Sequence, residues 1–164
     1  MLTGFLGIDS IRVNVDCKDW KGAVKEGCEL LLKKGYIESS YEEAIIKNHM
    51  TIGPYMVVAP QIMLAHARPE DGAKEISLSL ITLKNAIVFG NETNDPVKLI
   101  ITLATTNGQE HLKLLESLME LLSNEADVKN IMQAQTVSEV ESIIKKYKWI
   151  YLIKGLRRSK NKWS

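Results

Sequence analysis

The amino-acid sequence predicts an α/β fold: one domain in which a mixed, mainly five-stranded β-sheet is flanked by helices on both faces. Three observations carry that expectation. Segments with a two-residue apolar period interleave with segments of helical period along the chain. Leu99 to Ala104 is apolar nearly throughout, the pattern of a strand covered on both sides. The length, 164 residues, fits a single domain able to bury roughly 70% of its unfolded surface without disulfides or metal.

The elements follow in order. Ile11, Val13 and Val15 alternate with polar residues and mark a first strand from Ile11 to Cys17. Asp19 opens a helix with apolar positions at Trp20, Val24, Gly27, Cys28 and Leu31, and Gly35 ends it where a left-handed residue is wanted. Ser40-Tyr-Glu-Glu43 reads as a capping box that starts a second helix running to about Met50. Tyr55 to Ala59 and Ile62 to Ala65 are short extended runs separated by Pro60-Gln61. Ile76, Leu78 and Leu80 alternate with Ser77 and Ser79, as in a half-buried strand. Beyond Leu99 to Ala104, the loop Thr105 to Gly108 leads into a helix from Gln109 to about Leu122, its apolar stripe Leu112, Leu115, Met119 and Leu122. Asn124 to Gln133 and Val137 to Lys146 fit two further helices, the latter opened by Thr136 and Glu139 as a second capping box. The domain is expected to span residues 1–153. Residues 154–164, with Lys154, Arg157, Arg158, Lys160 and Lys162 close together, read as a frayed basic tail.

Composition removes several function classes. A net charge of +1 sets up no field that would draw nucleic acid, so no nucleic-acid partner is expected. The apolar runs are too short to cross a bilayer, and MLTGFLGIDS lacks the basic and long apolar regions of a secretory signal. A cytoplasmic protein is expected, with Cys17 and Cys28 as structural thiols in a reducing compartment. Metal-binding spacings such as HxH, HExxH or paired cysteines are missing, as is a Gly-rich phosphate loop, so neither metal nor cofactor is expected.

The chemistry falls to three histidines, His49, His66 and His111. His66 follows an extended run and precedes Ala67-Arg68-Pro69-Glu70-Asp71-Gly72, a turn with Pro at a helix start, so it should project from a strand end. His111 lies in the first turn of a helix behind the most buried strand. That pair suits phosphoryl transfer. Neutral imidazole is a good nucleophile near pH 7, and free N–H groups at a helix start can receive the phosphoryl oxygens. The helix dipole disfavours a cation at His111, which could then donate one N–H, with Arg68 adding a bidentate contact. On residue chemistry alone the plainer readings carry more weight: His66 as a satisfied loop histidine, His111 at the core edge, Arg68 as a solvated turn residue. His49 is read as a charge at the end of its helix.

The balance shifts at Gly53-Pro54-Tyr55-Met56-Val57-Val58-Ala59-Pro60, followed by Met63-Leu64-Ala65-His66-Ala67-Arg68-Pro69-Glu70-Asp71-Gly72. This segment resembles the active segment of the mannitol/fructose-type enzyme IIA family of the sugar phosphotransferase system, and HARPEDG resembles its ascorbate-type branch most closely. Leu103-Ala104 through Asn107, Gly108 and Glu110-His111-Leu112 resembles the family's second histidine segment, and Val15 to Lys21 with the helix after it also resembles that branch. The resemblance covers roughly residues 11–147. It implies that His66 receives a phosphoryl group from the histidine-containing phosphocarrier protein and donates it to a cysteine of an enzyme IIB. That partner then phosphorylates sugar entering through a membrane enzyme IIC, which would hold the chain near the inner membrane face. His111 would support the phosphoryl group. Ascorbate as the sugar is implied by the resemblance alone.

Two positions depart from the family pattern. The usual Pro before the active histidine is Ala65 here, and the upstream arginine of mannitol-type members has no counterpart near Asn48 and His49, leaving His49 or Arg68 as candidates for its place. A rival reading keeps the fold but makes it a regulatory module that signals through phosphorylated His66 without transport. A third makes it a degenerate unit, in keeping with Ala65. No DNA-binding or other regulatory domain is visible, which favours transport.

Overall fold

The computed structural model of the chain describes residues 5–147, so the expected boundary between a domain and a basic tail lies outside them. Five strands form one mixed sheet: β1 (Ile11–Val15), β2 (Val57–Ala59), β3 (Ile62–Ala65), β4 (Ser77–Ile87) and β5 (Val97–Ala104), in spatial order β1-β4-β5-β3-β2. β1 pairs parallel with β4 and β3 parallel with β5, whereas β4–β5 and β2–β3 are antiparallel. Helices α1 (Trp20–Leu32) and α2 (Ser39–Ile52) cover one face. Helices α3 (Gly108–Leu122), α4 (Glu125–Gln133) and α5 (Val137–Ile144) cover the other. This is the expected class.

The strand period of two explains the double cover. In β5, Leu99, Ile101 and Leu103 join the core under α3 to α5, while Ile100 and Ala104 join the core under α1 and α2. β4 corrects its expected half-burial. Ser77 to Leu83 are all buried, the serines included. Ser79 donates from Oγ to the carbonyl of Gly27 at 2.8 Å. A Cβ at Gly27 would sit 2.7 Å from Thr102 Oγ1, so glycine there lets α1 lie close on the polar side of the sheet.

Local signals fared unevenly. Asp19 caps α1 by accepting from the Gly22 N–H at 2.8 Å, and Gly35 takes φ +70° after the helix. The box at Ser40 does not form. α2 starts at Ser39 behind Glu38, which caps nothing, and Ser40 instead donates to the Asp71 carbonyl at 2.7 Å. α2 also runs on to Ile52, and β1 stops at Val15. Thr136 caps α5 by accepting from the Glu139 N–H, but the Glu139 carboxylate reaches the N–H of Gln135 rather than that of Thr136.

The stripe of α3 is displaced by a residue from the expected one. Leu114, Leu118 and Leu121 are buried, Leu115 and Leu122 flank them, and Leu112 and Met119 are 59% and 53% exposed. Both sets recur at helical spacing. Helical periodicity alone therefore does not choose between them.

His49 lies in the last turn of α2, as read, but it faces the core. Its ring is buried, 4.4 Å from Trp20 between centroids and edge-on to Phe89, and its Nε2–H donates to the Phe89 carbonyl at 2.7 Å. It is a core residue rather than a solvent-facing one. Cys28 is buried and Cys17 half-buried, and burial raises both thiols above their ordinary pKa, with Glu26, Asp16 and Asp19 adding to the rise at Cys17.

Candidate active site

β3 and β5 run parallel, with Ala65 opposite Thr102, so both chains leave the sheet at the same end. His66 is the first residue past β3. β5 continues through residues 105–107 into α3, whose first turn carries His111. This topology brings the two imidazoles together, with centroids 5.4 Å apart and planes inclined by 45°. Ala65, where a proline was missed, lies inside β3 and is wholly buried. The ladder to β5 fixes the backbone there in the absence of a pyrrolidine ring.

His66 Nδ1 lies 2.9 Å from the Leu64 carbonyl oxygen. A carbonyl only accepts, so Nδ1 carries the proton and the neutral ring keeps its lone pair on Nε2. Tyr55 stands edge-on to the ring at 6.1 Å between centroids.

His111 owes its place to the start of α3. The Asn107 side chain accepts from the Glu110 N–H at 2.9 Å, and its carbonyl accepts from the His111 N–H at 3.2 Å. Glu110 folds back to accept from the N–H and hydroxyl of Thr106. Of the N–H groups a helix leaves open at its start, those of Gly108 and Gln109 remain without a partner among the described residues. Burial, and then the neighbouring His66, lower the His111 pKa below the ordinary imidazole value. Its surroundings thereby favour the neutral ring.

Arg68 is exposed on the turn Pro69–Asp71, with Pro at the first helical position as expected. Its backbone N–H donates to Asp71 Oδ2 at 3.0 Å, and its guanidinium meets no carboxylate among the described residues. His66, Arg68, Gly108 and His111 line one cavity of about 600 Å³ with Asn48, Ile52 and Tyr55. Of the two candidates for the missing arginine, Arg68 therefore lines this cavity and His49 does not, its ring being committed to Phe89. Asn48 and Ile52 went unread in the sequence, although their spacing puts them on one face of a helix. Among the described residues no group of three or more His, Cys, Asp or Glu side chains converges to hold a metal ion.

Two open N–H groups at a helix start, an unpaired guanidinium and a neutral imidazole donor form a set suited to a tetrahedral anion beside a nucleophilic nitrogen. Fold and site thus define an α/β protein with two histidines side by side in one pocket. The chain belongs to the family of EIIA 2 components of the phosphoenolpyruvate-dependent sugar phosphotransferase system, whose model matches residues 4–147. It is similar to the ascorbate-specific EIIA component of Salmonella typhi, 35% identical over 137 residues that make up 83% of this chain and 89% of that one. The ascorbate-specific component of Escherichia coli K12 is 34% identical over 136 residues, 82% of this chain and 88% of the relative. Among solved structures, the mannitol-specific cryptic enzyme IIA of Escherichia coli superposes with a TM-score of 0.82 at 33% identity, covering 88% and 98% of the two chains. The enzyme IIA in the Escherichia coli complex with phosphorylated enzyme IIB for mannitol shares the fold, with a TM-score of 0.76 at 22% identity over 85% and 96% of the chains. The chain is accordingly a sugar phosphotransferase component of EIIA type. No helix among the described residues is long and apolar enough to cross a membrane.

Proposed function

We propose that the chain carries a phosphoryl group on His66 Nε2, receiving it from the histidine-containing phosphocarrier protein and passing it to a cysteine of an enzyme IIB. The observation that supports this most is the bond from His66 Nδ1 to the Leu64 carbonyl, which reserves Nε2 for bond formation. In the first step the Nε2 lone pair attacks phosphorus. The new N–P bond forms as the bond to the donor imidazole breaks, and the donor nitrogen leaves with the electron pair. The His66 ring gains positive character, which the Leu64 carbonyl stabilises by accepting the Nδ1 proton's hydrogen bond. In the second step a thiolate of IIB attacks phosphorus and Nε2 takes its pair back.

The Gly108 and Gln109 N–H groups, one N–H of His111 and the Arg68 guanidinium would hold the three phosphoryl oxygens as charge moves. The sugar is proposed to be ascorbate or a close analogue, because the relatives named above are ascorbate-specific components. The solved complex supports IIB as partner, and enzyme IIC would be reached only through it, from the cytoplasmic face of the membrane. The domain is proposed to extend to residue 153. A regulatory module would share the phosphoryl-bearing site, and transfer to IIB separates the two roles.

The carrier atom can be read directly. With histidine-labelled protein phosphorylated from phosphoenolpyruvate, enzyme I and the phosphocarrier, nitrogen-detected NMR should show phosphorus coupling at His66 Nε2 and a proton still on Nδ1. Coupling at Nδ1, or on another histidine, would overturn the assignment.

A further inference from the structure

We propose that Tyr41 is a positioning residue that holds the two histidine segments at their working separation, an inference that rests on the phosphoryl-carrier reading of His66. Tyr41 stands on α2, outside both segments, and is 1% exposed. Its hydroxyl donates to the Leu103 carbonyl at 2.5 Å and accepts from the Ala67 N–H at 3.0 Å. Ala67 directly follows His66. Leu103 lies at the end of β5, where the chain turns towards α3 and His111. Among the described residues this hydroxyl is the side-chain group bonded to both segments.

A buried phenol costs free energy unless its hydroxyl is paired, and here both its donor and acceptor capacities are met by site backbone. Burial also raises the Tyr41 pKa, so the group stays a hydroxyl rather than a phenolate. The same helix brings Asn48 and Ile52 to the cavity, so α2 registers its own cavity wall against the histidine loop through Tyr41. Any drift of Ala67 relative to Leu103 changes the distance from His66 to His111, the quantity on which donation to the phosphoryl group depends.

The test is a double-mutant cycle of Tyr41→Phe and His111→Ala, read as the rate of phosphoryl transfer at saturating partner. Phenylalanine keeps the ring and removes the hydroxyl. If Tyr41 positions His66 against His111, Tyr41→Phe slows transfer about tenfold in the parent, leaves the KM for the phosphocarrier unchanged, and costs less than about twofold where His111 is already Ala. Equal losses in both backgrounds, or no loss, would overturn the proposal, since a purely structural role is indifferent to residue 111. Replacing Ala67 by lactic acid turns its N–H into an ester oxygen while Tyr41 stays in place. It should give the same pattern, and it decides the matter should Tyr41→Phe not fold. A parent chain that takes no phosphate on His66 would instead defeat the carrier reading itself.

Discussion

His66→Ala should take up no phosphoryl group from the phosphocarrier, whereas the parent chain should take up an acid-labile, base-stable phosphate. Among the described residues the other candidate nucleophiles are differently placed. His49 is buried with its Nε2–H on the Phe89 carbonyl, and both thiols are held protonated by burial. His111 lines the same cavity, 5.4 Å from His66 between centroids, and its proposed role is to donate to the phosphoryl group rather than to carry it. His49→Ala should lose roughly 1–3 kcal/mol of stability, because it leaves the Phe89 carbonyl buried and unpaired, yet still label fully. Phosphate found on His66→Ala would remove His66 from its role.

His111 variants should slow transfer without moving the label. Removing one preorganised donor from such a site costs roughly 2.7–4 kcal/mol of transition-state stabilisation, a factor of about 10²–10³ in rate. His111→Ala should show that loss. His111→Gln keeps an N–H of similar reach and cannot act as an acid or base, so it should recover much of the rate if donation is the role. Gln as slow as Ala would point to proton transfer, and parent rates in both would reduce His111 to a core-edge histidine. A second readout follows from its environment. The folded pKa of His111 lies below the ordinary value of about 6.5, so the folded state binds a proton less readily than the unfolded chain does. The stability held above that value is then lost as the pH falls from about 6.5 through the folded pKa. The drop in melting temperature between pH 7.5 and pH 5.5 should be smaller in His111→Gln than in the parent.

Where a signal is local, the sequence was enough. Asp19 before an apolar helical stripe, Gly35 after it, and Pro69 at a turn start each act through their own backbone neighbours, and each is found as expected. His66 and His111 could be placed at strand and helix ends for the same reason, and the resemblance of their segments to a known family joined them. Residues whose role depends on distant partners could not be read. Ser40 satisfies a cap pattern but is drawn to the Asp71 carbonyl from another loop. Ser77 and Ser79 alternate like a solvent face, yet both are buried, and over Ser79 it is α1 at Gly27 that lies close enough for the Gly27 carbonyl to accept from its hydroxyl. The two candidate stripes of α3 differ by one residue, and nothing within the helix chooses between them. Tyr41 looks like any apolar helix position until the fold brings Ala67 and Leu103 to its hydroxyl. Asn48 is legible as a cavity residue only once α2 is set beside the turn at Arg68.

The central claim is that His66 both carries a phosphoryl group and hands it on. It is tested by labelling the chain from phosphoenolpyruvate, removing the donors, and adding an enzyme IIB of an ascorbate-type system. The label should leave this chain and appear on the IIB cysteine, and a IIB in which that cysteine is replaced by serine should take none. Label that stays on this chain in the presence of active IIB, or that is released only as inorganic phosphate, would contradict it.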